Sequence, residues 1–220
     1  MDDFFKKNKK YLYLITPSNL LTKELTLKKY LIILNKVLKT KKIKLLQLRL
    51  KNKNKKQILN ILKKINIICK KHNTLIFIND YVNDKILNSC DGVHLGQKDI
   101  TKKKIQKIIS KKKLLGLTCH NSKYLVKKMM VYKPNYISFG SFFPSKTKKT
   151  QYKATIKIIN WFKKNFKLPC VAIGGITLNN CNKILKTNCN LIAVSSGVWD
   201  FEAGPIKAVN LFNKILNKKI

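Results

Sequence analysis

Acidic residues are scarce in this sequence. Its 220 residues include 9 Asp and Glu against 48 Lys and Arg, which gives a formal net charge of +39. Arginine is scarcer still, because Arg49 is the only one. Nucleic-acid-binding proteins use arginine for bidentate contacts to bases and phosphates. Lysines spread along the whole chain with so little arginine favour a solvated basic surface, and we expect no specific nucleic-acid partner.

Long apolar runs are also missing. No stretch approaches the ~18 uninterrupted apolar residues that a membrane-spanning helix needs. The first residues lack the basic-then-apolar order of a signal peptide. We therefore expect no membrane partner and a cytoplasmic location. The chain is 45% hydrophobic, which is enough for a sizeable core and excludes disorder caused by low hydrophobicity.

The six cysteines contain no Cys-x-x-Cys pair. They stand at positions 69, 90, 119, 170, 181 and 189. In a cytosolic chain we expect free, mostly buried thiols. Cys119 and His120 are neighbours, but adjacent side chains on a strand point to opposite faces, which disfavours a nucleophile–base pair.

Apolar runs alternate with amphipathic runs along the whole chain. The runs predict strands over 11–16, 43–48, 74–78, 92–95, 114–118, 136–139, 170–173 and 191–195. They predict helices over 26–39, 54–71, 82–88, 102–110, 123–132, about 152–166, 178–186 and 205–216. Eight such units favour a (β/α)₈ TIM barrel that fills residues 1–220 as a single domain. The alternative is a doubly wound sheet, but Thr16-Pro17-Ser18-Asn19 after the first strand is not a dinucleotide-binding fingerprint.

Active sites of such barrels lie at the carboxyl ends of the strands. Arg49 follows the second predicted strand, between Gln47 and Lys51. A guanidinium binds phosphate through two parallel hydrogen bonds, which an ammonium cannot copy. The one arginine of a lysine-rich chain therefore indicates an anionic substrate, a phosphate or diphosphate.

Four of the nine carboxylates fall within twenty residues, at Asp80, Asp84, Asp91 and Asp99. Asp80 and Asp99 follow neighbouring predicted strands, so both can reach one ion. Two carboxylates with substrate phosphate oxygens and waters make a typical Mg²⁺ site. For Asp99, capping of the helix near residue 102 is an equal alternative. Asp84 and Asp91 are interpreted as structural.

Two glycine-containing loops follow the last two predicted strands. Gly174-Gly175 and Ser195-Ser196-Gly197 stand where such barrels often bind phosphate through backbone N–H groups. Lys148 is the last residue of Pro144-Ser145-Lys146-Thr147-Lys148 in the longest predicted loop. It could bind a phosphate or form a Schiff base with a carbonyl substrate. His94 is expected in the barrel interior. His120 is expected at a strand end, against the substrate or behind a residue that contacts it.

These segments together resemble the thiamine-phosphate synthase family over about residues 11–198. The matching pieces are Gln47-Leu-Arg49-Leu-Lys51, Asn79-Asp80, Gly92-Val-His-Leu-Gly-Gln97-Lys-Asp99, Gly116-Leu-Thr-Cys-His120, Gly140-Ser-Phe-Phe-Pro-Ser-Lys-Thr-Lys148, Ala172-Ile-Gly-Gly-Ile176 and Ala193-Val-Ser-Ser196. Each piece alone is weak, but seven in the same order are specific. The family usually has Arg where Tyr81 stands, and it often has Ser at Thr118 and Thr at Ser145.

The resemblance implies a TIM barrel and a magnesium-dependent transferase of thiamine biosynthesis. The family joins a hydroxymethylpyrimidine diphosphate to a thiazole phosphate, of which a carboxylated form is an alternative, and releases diphosphate. By this resemblance the pyrimidine diphosphate is bound by Gln47, Arg49, Lys51, Asn79, Thr118 and Lys148. The thiazole phosphate is bound by Ser145, Thr147, Gly175, Ser195 and Ser196. Mg²⁺ is bound by Asp80 and Asp99, while Arg49, Lys51 and Lys148 neutralise the leaving group as catalytic residues.

Three other functions remain as hypotheses. A thiazole tautomerase of the same fold would use His120 for proton transfer and would not need Mg²⁺. A Schiff-base aldolase would use Lys148 and would be trapped by borohydride with a carbonyl substrate. A basic RNA-binding protein would bind RNA at physiological salt, although the sequence lacks interleaved aromatic residues for base stacking.

Overall fold

A computed structural model describes residues 9–22, 25–50, 53–145 and 152–217. Its eight parallel strands close into one barrel in sequence order, β1 to β8, with β8 paired back to β1. The strands are β1 Tyr11–Ile15, β2 Ile43–Leu48, β3 Leu75–Asn79, β4 Gly92–Leu95, β5 Leu114–His120, β6 Tyr136–Phe139, β7 Cys170–Ile173 and β8 Leu191–Val194. The predicted single-domain (β/α)₈ TIM barrel is confirmed.

Helices connect the strands along the described ranges. They are α1 Leu27–Lys39, α2 Lys55–Lys71, α3 Asp84–Leu87, α4 Lys102–Ser110, α5 Lys123–Met130, α6 Ile156–Asn165, α7 Asn182–Leu185, α8 Ser196–Trp199 and α9 Gly204–Leu216. A 3₁₀ turn spans Gln97–Asp99. The 3₁₀ turn and α8 were not predicted, and the helices predicted over 82–88 and 178–186 are shorter in the structure, where α3 and α7 have four residues each.

Local sequence explains where the longer helices begin. Asn54 caps α2 and forms a capping box with Gln57, a feature that contributes about 1 kcal/mol. One face of α2 is buried, and it includes Ile58, Leu62 and Ile65. Each such aliphatic side chain contributes roughly 1.5–3 kcal/mol on burial, so packing against the barrel fixes the helix more strongly than its cap does.

The core has two layers. A smaller cluster, which includes Tyr13, Phe77 and Tyr136, fills the barrel interior, and a larger one lies between strands and helices. All six cysteines are buried and free, as predicted. Among the helices in the described ranges, none combines the length and the apolar character needed to span a membrane.

Candidate active site at the carboxyl end of the barrel

A cavity of about 770 Å³ opens at the carboxyl ends of the strands. Its lining includes every predicted site residue that the structure describes, namely Gln47, Arg49, Asn79, Asp80, Asp99, Thr118, Ser145, Gly175, Ser195 and Ser196. Lys51, Thr147 and Lys148 lie outside the described residues. The barrel therefore brings together groups that span about 150 positions of the chain. Their individual roles stay predictions.

Arg49 stands just beyond β2, and its backbone is fixed to β1. The Arg49 N–H donates to Thr16 Oγ1 at 3.0 Å, and the Thr16 hydroxyl donates back to the Arg49 carbonyl at 3.2 Å. Burial lowers the pKa of the guanidinium, and the negative charge of Asp80 opposes that effect. Within the described ranges no carboxylate lies at ion-pair distance from Arg49. A half-buried guanidinium facing the cavity is suited to an anionic ligand.

Asp80 occupies a left-handed backbone conformation, with φ of 65°. Aspartate tolerates this region better than most residues, and such conformations concentrate at functional sites. The Asp80 N–H donates to the His94 carbonyl at 2.9 Å, which places the carboxyl group at the end of β4. There Asp80 Oδ1 accepts from the Gly96 N–H at 2.8 Å, and Oδ2 accepts from the Asn79 side chain.

Asp80 and Asp99 lie on either side of Gly96. A Cβ added to Gly96 would lie 3.6 Å from Asp80 Oδ1 and 3.8 Å from Asp99 Oδ2. Burial raises the pKa of Asp80, and the like charge of Asp99 raises it further. Both effects would be relieved by a bound cation. In the part of the chain that is described, no three His, Cys, Asp or Glu side chains group as metal ligands. Two carboxylates fit a hard cation whose other ligands are substrate oxygens and water.

The alternative that Asp99 caps the following helix is wrong. Thr101 is the N-cap of α4, and its hydroxyl accepts from the Lys104 N–H at 3.2 Å. Asp99 instead lies 3.5 Å from Lys104 Nζ, which also donates to the Asp80 carbonyl at 3.3 Å. Lys104 therefore brings a cation from α4 to the Asp99 carboxylate and the Asp80 backbone carbonyl.

The two remaining aspartates of the cluster are structural, as predicted. Asp84 forms an exposed ion pair with Lys107 at 2.6 Å, away from the cavity. Asp91 accepts a hydrogen bond from the Ile76 N–H at 2.8 Å and so links the start of β4 to β3. Tyr81, which stands where the resemblance leads us to expect arginine, packs partly buried against the hydrophobic core.

The opposite wall of the cavity contains two glycines with positive φ. They are Gly174, at 104°, and Gly175, at 61°. A Cβ on Gly175 would collide with the carbonyl oxygens of Pro144 and Phe143, the latter at 2.7 Å. The Phe143 N–H donates to the Gly174 carbonyl at 3.0 Å, so the loops after β6 and β7 are joined. Only glycine fits this close approach of two backbones.

The cavity thus has two chemically distinct sides. We call Gln47, Arg49, Asn79, Asp80 and Asp99 the carboxylate side, and Ser145, Gly174, Gly175, Ser195 and Ser196 the glycine side. On the glycine side, the Ser195 hydroxyl donates to the Thr16 carbonyl at 3.1 Å, and the Trp199 indole donates to the Ile15 carbonyl at 2.6 Å. These bonds tie the loop after β8 to the end of β1.

Several lining residues were not predicted from the sequence. Tyr152 stacks on His120 with ring centroids 4.0 Å apart, and both rings line the cavity. Ser141 lines it as well, and its backbone exchanges hydrogen bonds with Tyr152 and Ala154. The apolar pattern predicted a helix from about residue 152, but α6 begins at Ile156, so Tyr152 lies in an irregular segment before the helix. The one available signal was its position next to the longest predicted loop.

Comparison with known proteins identifies relatives of the whole barrel. The sequence model of the family described as "Thiamine monophosphate synthase" matches residues 12–198. A thiamine-phosphate synthase of Pelagibacter ubique is 42% identical over 89% of this chain and 91% of its own. One of Rhodospirillum centenum is 32% identical over 77% of this chain and 82% of its own. The structure of a thiamine phosphate pyrophosphorylase from Pyrococcus furiosus has a TM-score of 0.79 at 25% identity, covering 96% of this chain and 98% of that one.

Proposed function

The chain belongs to the thiamine monophosphate synthase family and is a transferase of thiamine biosynthesis, and on that premise we propose how its cavity residues divide the reaction between them. A thiamine-phosphate synthase joins a hydroxymethylpyrimidine diphosphate to a thiazole phosphate and releases diphosphate. The observation that carries the proposal is the cavity itself, which has paired carboxylates and an arginine on one side and close-packed glycines on the other.

The carboxylate side binds the pyrimidine diphosphate in this proposal. Arg49 takes diphosphate oxygens through its guanidinium fork, and Gln47 and Asn79 orient the pyrimidine end. Thr118 contacts the same substrate from β5, where its carbonyl already accepts a bond from Gln97. Lys51 and Lys148, by resemblance, add positive charge to the leaving group. The half-buried state of Arg49 supports its role, because a charged hydrogen bond is stronger where water is reduced.

Asp80 and Asp99 are proposed to hold Mg²⁺ beside the diphosphate. When bound, the ion supplies positive charge to the phosphate oxygens on which negative charge develops. The raised pKa of Asp80 supports this assignment, because burial and the like charge of Asp99 outweigh the Gly96 hydrogen bond and the charges of Lys104 and Arg49, and a bound hard cation would favour the ionised carboxylate. Asn79, which donates to Asp80 Oδ2, holds the carboxylate in place.

The glycine side is proposed to bind the thiazole phosphate. Gly175, Ser145, Ser195 and Ser196 all line the cavity, and Thr147 joins them by resemblance. A phosphate monoester needs several N–H and O–H donors, which glycine backbones and small hydroxyls supply without filling the space. The thiazole ring then points toward the pyrimidine from the far wall.

The reaction needs no nucleophile from the protein. The bond between the pyrimidine methylene and the diphosphate oxygen breaks, and its electron pair leaves with the diphosphate. The aminopyrimidine ring stabilises the resulting cation, and the lone pair of the thiazole nitrogen forms the new C–N bond. Arg49 lowers the barrier by stabilising charge on the leaving group. The glycine side contributes by holding the thiazole nitrogen in line with the reacting carbon.

A direct synthesis assay tests this proposal. Purified protein is mixed with pyrimidine diphosphate, thiazole phosphate and Mg²⁺, and thiamine phosphate is quantified with and without chelator; the carboxylated thiazole phosphate is assayed in parallel. We expect product that disappears with chelator and returns when Mg²⁺ is restored. Product that persists in chelator would remove the metal role of Asp80 and Asp99. The cytoplasmic location predicted from the sequence stays a prediction.

A further inference from the structure

A network of hydrogen bonds, which we call the interior network, runs through the barrel interior and ends at Thr118 on the cavity wall. Tyr13 Oη lies 2.9 Å from Tyr136 Oη, and Tyr136 Oη lies 2.9 Å from His94 Nδ1. His94 Nε2 lies 2.9 Å from Thr118 Oγ1, and the Ser138 hydroxyl donates to the same Oγ1 at 3.2 Å. Its five side chains come from β1, β4, β5 and β6, so the interior network crosses the barrel.

The aromatic side chains of the interior network have little freedom to move. The Tyr136 ring lies almost parallel to His94, with centroids 5.6 Å apart, and packs edge-on against Tyr13 at 5.9 Å. Gly116 makes room for it, because a Cβ there would collide with the Tyr136 ring, meeting Cε1 at 2.6 Å. The hydroxyl of Tyr136 is therefore held between Tyr13 and His94 by packing as well as by hydrogen bonds.

Because these side chains are buried, the direction of each hydrogen bond affects the stability of the fold. Tyr13, Tyr136 and Ser138 are at most 2% exposed and His94 is 6% exposed. Burial raises the pKa of both tyrosines, so each hydroxyl keeps one proton at neutral pH. A buried hydroxyl whose proton finds no acceptor costs roughly 1–3 kcal/mol. The favoured arrangement is the one in which every hydroxyl and imidazole N–H proton of the interior network has an acceptor.

Only one direction satisfies Tyr13. Among the described residues, its hydroxyl has Tyr136 Oη as its hydrogen-bond partner. If His94 Nδ1 carried a proton, Tyr136 would have to accept it and donate its own to Tyr13, whose proton would then have no acceptor. With the opposite order, Tyr13 donates to Tyr136 and Tyr136 donates to Nδ1. Neutral His94 then carries its proton on Nε2 and donates it to Thr118.

Thr118 Oγ1 consequently accepts two hydrogen bonds, from His94 and from Ser138. Its own proton is left to point into the cavity. We propose that Tyr13, Tyr136 and His94 are positioning residues that make Thr118 a hydrogen-bond donor toward an acceptor atom of the pyrimidine diphosphate. This inference rests on the proposed binding of that substrate at Thr118, and it adds the polarity of the contact and the residues that set it.

The protonated nitrogen of His94 can be observed directly by ¹⁵N–¹H correlation NMR. The chain has three histidines, at 72, 94 and 120, and a His94→Gln variant identifies the resonances of His94. We expect a protonated Nε2 and an unprotonated Nδ1 at neutral pH, without any substrate. A protonated Nδ1, alone or as imidazolium, would overturn the proposal.

Two matched tyrosine variants test the origin of this preference. Tyr136→Phe keeps the ring beside Gly116 but removes the donor to Nδ1, so we expect His94 to move toward the Nδ1-protonated form and take a hydrogen bond from Thr118. Tyr30→Phe is the control, because Tyr30 is fully buried and its hydroxyl has no hydrogen-bond partner in the described part of the chain. An unchanged His94 in Tyr136→Phe, or an equal shift in Tyr30→Phe, would contradict the proposal.

Kinetics then connects the network to the substrate. We expect Tyr136→Phe to lose about three- to tenfold in kcat/KM for the pyrimidine diphosphate, whereas the control Tyr30→Phe should keep wild-type activity. The KM for thiazole phosphate should not change. Equal losses for both substrates would count against a positioning role. Because the tautomer is read without substrate, failure of the synthase assay and failure of this inference are separate results.

Discussion

The two sides of the cavity differ in how the chain builds them. The carboxylate side consists of charged and amide side chains with a half-buried arginine and two aspartates, whereas the glycine side consists of backbone and small hydroxyls. The carboxylate side therefore holds charge whose burial costs stability until a ligand arrives. The glycine side holds none, and its constraint is steric. This difference agrees with the proposed ligands, since a diphosphate with a metal ion carries more charge than a phosphate monoester.

The largest expected effect comes from removing one charge on the carboxylate side. Asp80→Asn keeps the shape and the Gly96 contact but loses the charge, so we expect kcat/KM to fall by ~10²–10³-fold and the dependence on Mg²⁺ to weaken. Steady-state kinetics over a Mg²⁺ series measures both. Asp84→Asn is the control, because Asp84 pairs with Lys107 on the outer surface. An equal loss in the control would show that the effect is not specific to the cavity.

Arg49→Lys tests whether the carboxylate side needs the bidentate hydrogen bonds of a guanidinium or only a positive charge. A lysine keeps the charge but forms no bidentate pair, and we expect a loss of about 10- to 100-fold, from the value of a charged hydrogen bond. The loss should appear in kcat as well as in KM for the pyrimidine diphosphate, because Arg49 also stabilises the leaving group, and it should leave KM for thiazole phosphate unchanged. If KM rises for both substrates together, the carboxylate side and the glycine side do not bind their substrates independently.

Gly175→Ala tests the steric constraint of the glycine side. The new Cβ would collide with the Pro144 and Phe143 carbonyls, so we expect KM for thiazole phosphate to rise about tenfold, together with a stability loss of ~1–3 kcal/mol. Gly204→Ala is a matched control, because Gly204 also has positive φ but nothing within 4 Å of its added Cβ. Urea unfolding should show only the backbone cost there, about 1–2 kcal/mol, with unchanged kinetics.

The smallest effect concerns stability and pH. The pKa of Asp80 is raised in the folded protein, so the folded state holds its proton more tightly and ionisation destabilises it. That cost is absent below the unfolded-state pKa of ~3.9 and grows as pH rises through the folded-state pKa. Asp80→Asn loses the hydrogen bond from Asn79 at every pH, but it carries no charge to bury, so without Mg²⁺ its stability relative to wild type should rise between pH 4 and pH 7. Denaturant unfolding of both proteins at several pH values measures this, and a relative stability that stays constant or falls with pH would contradict it.

The sequence predicted the barrel well because each strand and helix has its own apolar pattern, as in α2. It placed the described site residues at one end because parallel strands share a direction. It left one local choice open and missed features that depend on contacts between strands. Thr101 rather than Asp99 caps α4, a choice set by where the helix begins. β5 continues to His120 through a register shift against β6, which local propensity does not encode.

The interior network shows the same limit. His94 was correctly predicted to lie inside the barrel, but its partners on β5 and β6 follow from the strand register and not from spacing along the chain. Ser138 has no distinguishing signal in the sequence, since a serine within an apolar run is commonly buried by chance. Its importance follows only from its 3.2 Å contact with Thr118.

The backbone bonds at Ser141 have a consequence for engineering. Ser141 N–H donates to the Tyr152 carbonyl at 3.1 Å, and the Ala154 N–H donates to the Ser141 carbonyl at 2.8 Å. The chain thus leaves and rejoins the barrel at one clamped point, and insertions between such anchored ends are tolerated better than insertions within strands. Phe142 and Phe143 are also bonded to the end of β7 and the loop after it, so only the part of the segment beyond Ser145 is suited to insertion. A few glycines inserted between Lys149 and Thr150 should leave the barrel folded, and the activity that remains would show how strongly the reaction depends on the length of this segment.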